Sequence, residues 1–262
     1  MQFEGITVTY STRGKGKPLV LLHGYLLSGE AWKPMSDMLA ASCRVISVDI
    51  PGHGGSGVAG DTHTMEFIAE AVRAVIDDTG EQKVLLAGHS MGGYAALAFA
   101  EKYPWMLAGY VLFHSHPFAD SPEGIIKRKR EIEVVMAGKK NIMYPTNISM
   151  MFAENNLKSM SSALAKLRRL ASGNPAEGIV ALLNGMMARP RRAAVIERGE
   201  VPLLWILGRS DRYFSPENAV RDIKIPVNAQ VVILEKSGHL GFIEEPGLSA
   251  ELISTFARNL DW

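Results

Sequence analysis

The sequence predicts an α/β fold in which a mostly parallel central sheet is flanked by helices. Short apolar runs alternate with longer amphipathic ones along most of the chain. The apolar runs are nearly continuous in Val, Leu and Ile, which is typical of strands that are buried on both faces of a parallel sheet. The chain has 262 residues, whereas one domain usually needs about 100–200. The length therefore indicates one domain with an additional segment, or two small domains.

The alternation assigns the elements in order. Seven apolar runs predict strands: Ile6–Tyr10, Pro18–Leu22, Arg44–Val48, Lys83–Ala87, Leu107–Phe113, Val201–Leu207 and Gln230–Leu234. Five amphipathic stretches predict helices: Glu30–Ala40, Thr64–Thr79, Gly92–Tyr103, Pro216–Ile223 and Pro246–Leu260. Strands that alternate with helices in this way favour right-handed crossovers within a single sheet.

One long stretch between Phe113 and Val201 has no strand signal and predicts an inserted helical segment. Start and stop signals divide it into about four helices, which begin near Ser121, Asn155 or Asn156, Asn174 and Pro190. Residues 120–200 hold 14 basic and 8 acidic side chains, although the whole chain is nearly neutral. We therefore expect a core of residues 1–114 and 201–262, with residues 115–200 inserted into it.

Composition excludes several classes of protein. A formal net charge of +1 argues against a dedicated nucleic-acid binder. The single cysteine, Cys43, cannot form a disulfide framework within the chain or a multi-cysteine metal site. The first residues do not resemble a signal peptide, and no run approaches the ~18 apolar residues of a membrane span. We therefore expect a cytoplasmic protein that acts on a small molecule, without nucleic-acid or membrane partners; the oligomeric state is not specified.

The most informative motif is Gly-His-Ser-Met-Gly at residues 88–92. It follows the predicted strand Lys83–Ala87 and precedes a predicted helix, which is the setting of a nucleophile elbow. The turn is so sharp that side chains next to the serine would clash, which explains the glycines. Ser90 is therefore the predicted nucleophile, placed above the sheet at the start of a helix.

A nucleophilic serine needs a base, and the base needs an orienting acid. His239 follows the last predicted strand and Asp211 follows the strand before it. Parallel α/β sheets place their ligands at the carboxyl ends of their strands. The order Ser, Asp, His along the chain predicts a triad of Ser90, Asp211 and His239.

Two backbone N–H groups would complete the site as an oxyanion hole. Met91 follows the nucleophile and supplies one of them. The second is expected from Tyr25, in the loop His23-Gly24-Tyr25 that follows the strand Pro18–Leu22. Gly24 permits the tight turn, and His23 is expected to brace this loop rather than to act in catalysis.

These residues resemble the α/β-hydrolase-fold serine hydrolases, in particular the compact members with a helical cap. The motifs that carry the resemblance are His23-Gly24, the segment from Asp49 to Ser56, Gly88–Gly92, Asp211 and His239. The resemblance implies that the cap follows the sixth core strand and folds over the active site, which corresponds to residues 115–200. Relatives with an aspartate nucleophile, such as epoxide hydrolases and dehalogenases, are disfavoured by Ser90. In some relatives the orienting acid follows an earlier strand, which corresponds here to Leu107–Phe113. Asp120 comes after that strand and is the alternative acid.

Other motifs favour simpler interpretations. Residues 52–57 match a dinucleotide fingerprint, but no helix begins at these glycines, so we expect no cofactor. His114 and His116 suggest a metal pair, but are better interpreted as lining the pocket beneath the cap, together with Gly24 and Leu240. The basic run from Lys127 to Arg130 is typical of a solvated helix face.

The predicted reaction is hydrolysis of a small or medium carboxylic ester through an acyl-enzyme, without a metal or organic cofactor. Seven of the 13 methionines lie in the inserted segment, which favours an adaptable, apolar pocket. Guidance of anionic substrates by the basic cap is a weaker hypothesis than uneven surface charge. The same residues also suit a C–C bond hydrolase, a lyase or a perhydrolase, and a non-catalytic ligand sensor is a third hypothesis.

Overall fold

The computed structural model describes residues 1–262, which form two sheets. The strands are β1 (Gln2–Phe3), β2 (Ile6–Thr7), β3 (Tyr10–Arg13), β4 (Lys17–Leu22), β5 (Cys43–Val48), β6 (Val84–His89), β7 (Leu107–Phe113), β8 (Leu203–Gly208) and β9 (Ala229–Leu234). β1 and β2 form a separate hairpin, and the other seven strands form one sheet in the order β3-β5-β4-β6-β7-β8-β9. All neighbours in this sheet are parallel except β3, which runs antiparallel to β5. The predicted fold class is confirmed.

Eleven α-helices accompany the strands. They are α1 (Lys33–Leu39), α2 (Met65–Asp78), α3 (Met91–Lys102), α4 (Pro122–Met136), α5 (Lys140–Met151), α6 (Ser161–Gly173), α7 (Ala176–Ala188), α8 (Ala193–Arg198), α9 (Pro216–Val220), α10 (Gly241–Glu244) and α11 (Pro246–Arg258). No helix is both long and apolar enough to cross a membrane.

The burial of each strand follows its position in the sheet. Every residue of β6, β7 and β8 is buried, as the continuous apolar runs predict. The edge strand β3 is mostly exposed. The strand expected at Ile6–Tyr10 is instead divided, because Ile6–Thr7 pairs with Gln2–Phe3 in the hairpin while Tyr10 joins the main sheet. Along the chain, the inserted helices follow β7, which is the fifth strand of the seven-stranded sheet rather than the sixth.

The inserted segment contains five helices, α4 to α8, where the sequence indicated about four. Helix α4 begins where expected, because the Ser121 side chain accepts the N–H of Gly124 at 3.1 Å and caps the helix. The sequence does not predict helix α5, because no side chain caps its start and it contains Pro145. Asn174 was expected to begin the next helix, but its side chain does not cap that helix. It donates to Leu26 O and accepts the N–H of Gly54 instead.

Helix α7 lies directly on loops of the core. A Cβ atom added to Gly178 would lie 2.1 Å from Gly52 O, and one added to Gly185 would lie 1.7 Å from His63 O. The His63 N–H also donates to Ala181 O at 2.9 Å. A single hydrophobic core includes residues of the sheet and of the inserted helices, such as Leu182. The division into core and insertion therefore describes chain order, while the packing is continuous.

The contact at Gly185 predicts a large effect of a single methyl group. We expect Gly185→Ala to lower the free energy of unfolding by about 1–3 kcal/mol, because the added carbon forces α7 away from the His63 carbonyl. Gly173→Ala is the matched control, since nothing lies within 4 Å of its added carbon. The control should be neutral or stabilising by up to about 1 kcal/mol. Urea unfolding of both variants measures this, and equal stabilities would contradict the packing argument.

Candidate active site

Ser90 occupies a strained turn between β6 and α3. Its φ of 51° and ψ of −115° lie outside the regions that side chains favour, which costs about 1–3 kcal/mol. A Cβ atom at Gly88 would lie 2.2 Å from Gly92 O, and one at Gly92 would lie 2.5 Å from Leu22 O. The flanking glycines are therefore required by backbone contact. The Ser90 N–H donates to Phe113 O at 2.9 Å and helps to hold the turn.

His239 and Asp211 are brought together at the carboxyl ends of β9 and β8. His239 Nδ1 donates to Asp211 Oδ2 at 2.6 Å, and the Tyr213 N–H donates to the other carboxylate oxygen at 2.8 Å. The two side chains are 3% and 1% exposed, so the pair is shielded from water. Ser90 and His239 line the same cavity, although no hydrogen bond joins their side chains. Such contacts often tighten only when substrate binds.

The loop after β4 lies against Ser90. A Cβ atom at Gly24 would be 3.2 Å from Ser90 Cβ and 2.5 Å from His89 Nδ1. The Tyr25 N–H has no acceptor in the protein. Met91 is the first residue of α3, so its N–H has no acceptor within the helix. Two free backbone donors thus flank Ser90. His23 braces this loop, since its Nε2 accepts the Ile50 N–H at 2.9 Å.

The cavity at Ser90 has a volume of about 230 Å³. Its lining combines the strand ends with the inserted helices and consists of Tyr25, Ser90, Tyr94, His116, Asp120, Gly124, Lys127, Arg128, Glu131, Asn147, Met151, Met186, Tyr213, Phe214 and His239. Only six of the 15 residues are hydrophobic. The lining is therefore mixed rather than uniformly apolar, because helix α4 turns a polar face toward the cavity.

That polar face includes part of the basic run that was interpreted as solvated. Gly124, Lys127, Arg128 and Glu131 are spaced by three and four residues, so they share one face of α4. Lys129 and Arg130 are exposed away from the cavity. The spacing was visible in the sequence, but nothing there indicated which face of the helix packs over Ser90.

Only one of the four residues expected to line the pocket does so. His116 lines it, whereas Gly24, His114 and Leu240 do not. Leu240 is fully buried in the hydrophobic core. His114 is fully buried behind the acid: its Nε2 accepts the Gly241 N–H at 3.0 Å, and its Nδ1 is 3.8 Å from Asp211 Oδ2. Its position at the end of a buried strand explains why it cannot reach the cavity. No group of three or more His, Cys, Asp or Glu side chains is arranged to hold a metal ion.

Asp120, the alternative orienting acid, has different partners. It pairs with Arg128 and with Arg189, whose Nη1 lies 2.7 Å from Asp120 Oδ1. Burial acts to raise the pKa of Asp120, but the hydrogen bonds and charges of the two guanidinium groups lower it overall. The imidazole of His239 is bonded to Asp211 instead.

Comparisons with known proteins agree with this geometry. A sequence profile described as the alpha/beta hydrolase family matches residues 19–252. The dihydrolipoyllysine-residue acetyltransferase component of the acetoin cleaving system of Pseudomonas putida is 30% identical over 86% of this chain, which spans 59% of that protein's length. The pimeloyl-[acyl-carrier protein] methyl ester esterase of Aeromonas hydrophila is 28% identical, covering 96% of this chain and 99% of that protein. The solved structure of a thermophilic esterase from Thermogutta terrifontis superposes with a TM-score of 0.91 at 31% identity, over 97% and 93% of the two chains.

The two acids predict different consequences of substitution. We expect Asp211→Asn to lower kcat for p-nitrophenyl acetate by roughly 10⁴-fold, because the imidazole loses its orienting carboxylate. Asp120→Asn should instead lower the free energy of unfolding by about 3–5 kcal/mol, since two buried guanidinium groups lose their shared partner. Steady-state kinetics and urea unfolding of both variants test this. A collapse of kcat in Asp120→Asn alone would reverse the assignment.

Buried histidines predict a loss of stability in mild acid. Burial lowers the pKa of His53 and His116 to about 3 and that of His89 and His114 well below the usual value. The unfolded chain therefore binds protons below pH ~6.5 that the folded protein does not, so stability rises with pH in this range. Each such histidine contributes up to about 1.4 kcal/mol per pH unit. Urea unfolding from pH 7.5 down to 5.0 measures the slope, and a flat profile would contradict it.

Proposed function

Because the chain belongs to the alpha/beta hydrolase family, we propose that it is a serine hydrolase that cleaves a small or medium carboxylic ester. The observation that carries the proposal is the bond of 2.6 Å between His239 and Asp211, which presents His239 to the cavity that holds Ser90. The esterases among the matched proteins support the same reaction class.

In the proposed acylation, Ser90 Oγ attacks the ester carbonyl while His239 Nε2 takes the hydroxyl proton. Asp211 keeps the imidazole in the tautomer with a proton on Nδ1 and stabilises the imidazolium that forms. The C–O bond of the ester then breaks, and His239 returns the proton to the leaving alcohol. The product of this half-reaction is an acyl group on Ser90.

The N–H groups of Tyr25 and Met91 are proposed to hold the negative oxygen of the tetrahedral intermediate. Both lie next to Ser90 and both lack an internal acceptor, so neither needs to break a bond in order to donate. Loss of one such donor usually costs about 10²–10³ in rate. Water then attacks the acyl-enzyme with His239 as base, which releases the acid and restores Ser90.

Residues 115–200 act as the cap in this proposal. Helices α4, α5 and α7 contribute Arg128, Met151 and Met186 to the cavity wall. The cavity volume of about 230 Å³ suits a short or medium substrate rather than a long acyl chain. The cap consequently sets both the size and the polarity of the ester that reaches Ser90.

Replacement of the nucleophile provides the direct test. We expect Ser90→Ala to lower kcat for p-nitrophenyl esters of graded acyl length by roughly 10⁴–10⁶-fold, because acylation loses its nucleophile. Ser162→Ala is the control, since Ser162 is exposed on α6 and does not line the cavity. A fluorophosphonate probe should label the wild type and fail to label Ser90→Ala.

The same experiment separates the alternatives. Turnover of a β-diketone or of acetate with peroxide, but not of esters, would favour C–C hydrolysis or perhydrolysis by the same residues. Undiminished ester turnover by Ser90→Ala would refute the proposed mechanism. Ligand-induced stabilisation without any turnover or probe labelling would indicate a sensor.

A further inference from the structure

We propose that the ester substrate carries a carboxylate group, which Lys127 and Arg128 on helix α4 bind inside the cavity. The idea that this ligand is a substrate rests on the proposed ester hydrolysis, whereas the existence of a carboxylate site does not. The observations that support it are two arginines that share one acid at the cavity wall, a lysine without an ion pair, and hydrogen-bond donors without acceptors.

Two arginines share one acid at this wall: Arg128 lines the cavity and Arg189 lies behind it. Asp120 pairs with both Arg128 and Arg189, and no second carboxylate pairs with either of them. The side chains of Arg128, Asp120 and Arg189 are 19%, 7% and 3% exposed, so water screens this group weakly. A partly desolvated group with one surplus positive charge is stabilised by an anion. Arg128 lines the cavity, so this is the side from which an anion can reach it.

Arg128 also has a donor to offer. Its Nε and Nη2 atoms donate to Asp120, while Nη1 has no acceptor in the protein. Arg189 is more fully occupied, because it donates to the carbonyl oxygens of Phe118 and Met186 and stacks over the Tyr94 ring. Of the two arginines only Arg128 lines the cavity, so its free Nη1 is the donor available there. Guanidinium N–H groups bind carboxylates with charge-assisted hydrogen bonds.

Lys127 adds a second cation at the exposed side of the cavity. It lines the cavity and forms no ion pair, and its Nζ lies 5.7 Å from the centre of the Tyr213 ring. Glu131, one turn further along α4, is the nearby acid on the same face. It does not pair with Lys127 or Arg128, and its contact with Asn147 Nδ2 is a long 3.5 Å. Burial raises the pKa of Glu131, while the charges of Lys127 and Arg128 act to lower it.

Tyr25 supplies a neutral donor to the same space. Tyr25 lines the cavity, and its hydroxyl group is buried and has no hydrogen-bond partner in the protein. Buried polar groups of this kind are normally satisfied by a partner. The Tyr25 hydroxyl group and Arg128 Nη1 both lack an acceptor. A carboxylate bound in the cavity would supply one.

The test compares two esters with the same carbon chain, methyl pentanoate and monomethyl glutarate. The second replaces the terminal methyl group with a carboxylate. We expect the wild type to favour monomethyl glutarate in kcat/KM. Lys127→Met and Arg128→Gln should each lower this preference about tenfold or more, since a hydrogen bond to a charged group contributes about 1.5–3 kcal/mol. Lys129→Met and Arg130→Gln are matched controls, because both residues are exposed on α4 outside the cavity.

The outcomes separate this inference from the proposed function. Equal or poorer use of monomethyl glutarate, with ester turnover intact, would overturn the carboxylate site and leave the esterase. If no ester is hydrolysed, the esterase fails, and calorimetry of glutarate with Ser90→Ala still decides the site. If Ser90→Ala binds glutarate, and if adding Lys127→Met weakens this binding about tenfold, the carboxylate site is upheld. If Ser90→Ala does not bind glutarate at millimolar concentration, the site is refuted. Lys127 makes no ion pair, so its variant remains interpretable even if Arg128→Gln does not fold.

Discussion

The strained turn at Ser90 is the constraint on which the rest of the site depends. Holding a serine in this conformation requires β6 and α3 to meet through backbone atoms, with Gly88 against Gly92. Neighbouring elements then fasten the turn: Ser115 Oγ donates to Ser90 O at 2.8 Å, and the ring of His89 donates from Nε2 to His239 O at 2.8 Å. The second of these bonds links the turn of Ser90 to the loop that carries His239. The strain is therefore supported by the same contacts that position Ser90 and His239.

The inserted helices are part of this support. Glu244 accepts the N–H of Gly238 at 2.8 Å with one oxygen and that of Ala153 at 2.7 Å with the other. The N–H of His239 itself donates to Met151 O at 2.7 Å. The loop of the base is thus bonded directly to the end of α5. A cap that moved as a rigid lid would have to break these bonds, so the position of His239 and the docking of the insertion are physically coupled.

Short sequence patterns predicted the features that depend only on neighbouring residues in the chain. The buried strands, the elbow at Ser90 and the order Ser90, Asp211, His239 follow from apolar runs, from glycine sterics and from the ends of strands. The charged part of the pocket wall was not predicted, because the direction of Arg128 depends on how α4 packs across the sheet. Helix α5 was missed for a related reason. It has no side-chain cap and an internal proline, and tertiary contacts such as the buried ring of Tyr144 stabilise it.

Asp120 and Asp211 show why residue type and strand position are insufficient to assign a role. Each follows a strand of the parallel sheet, and each side chain is almost fully buried. Asp120 faces two guanidinium groups, whose permanent charges it must offset. Asp211 faces only a backbone N–H and two imidazole rings, His239 at 2.6 Å and His114 at 3.8 Å. In the proposed mechanism, its charge is thus available to the transient cation that forms on His239 each time a proton leaves Ser90. The neighbouring cations determine which carboxylate can serve the base, and they leave Asp120 to organise the charged wall of the cavity.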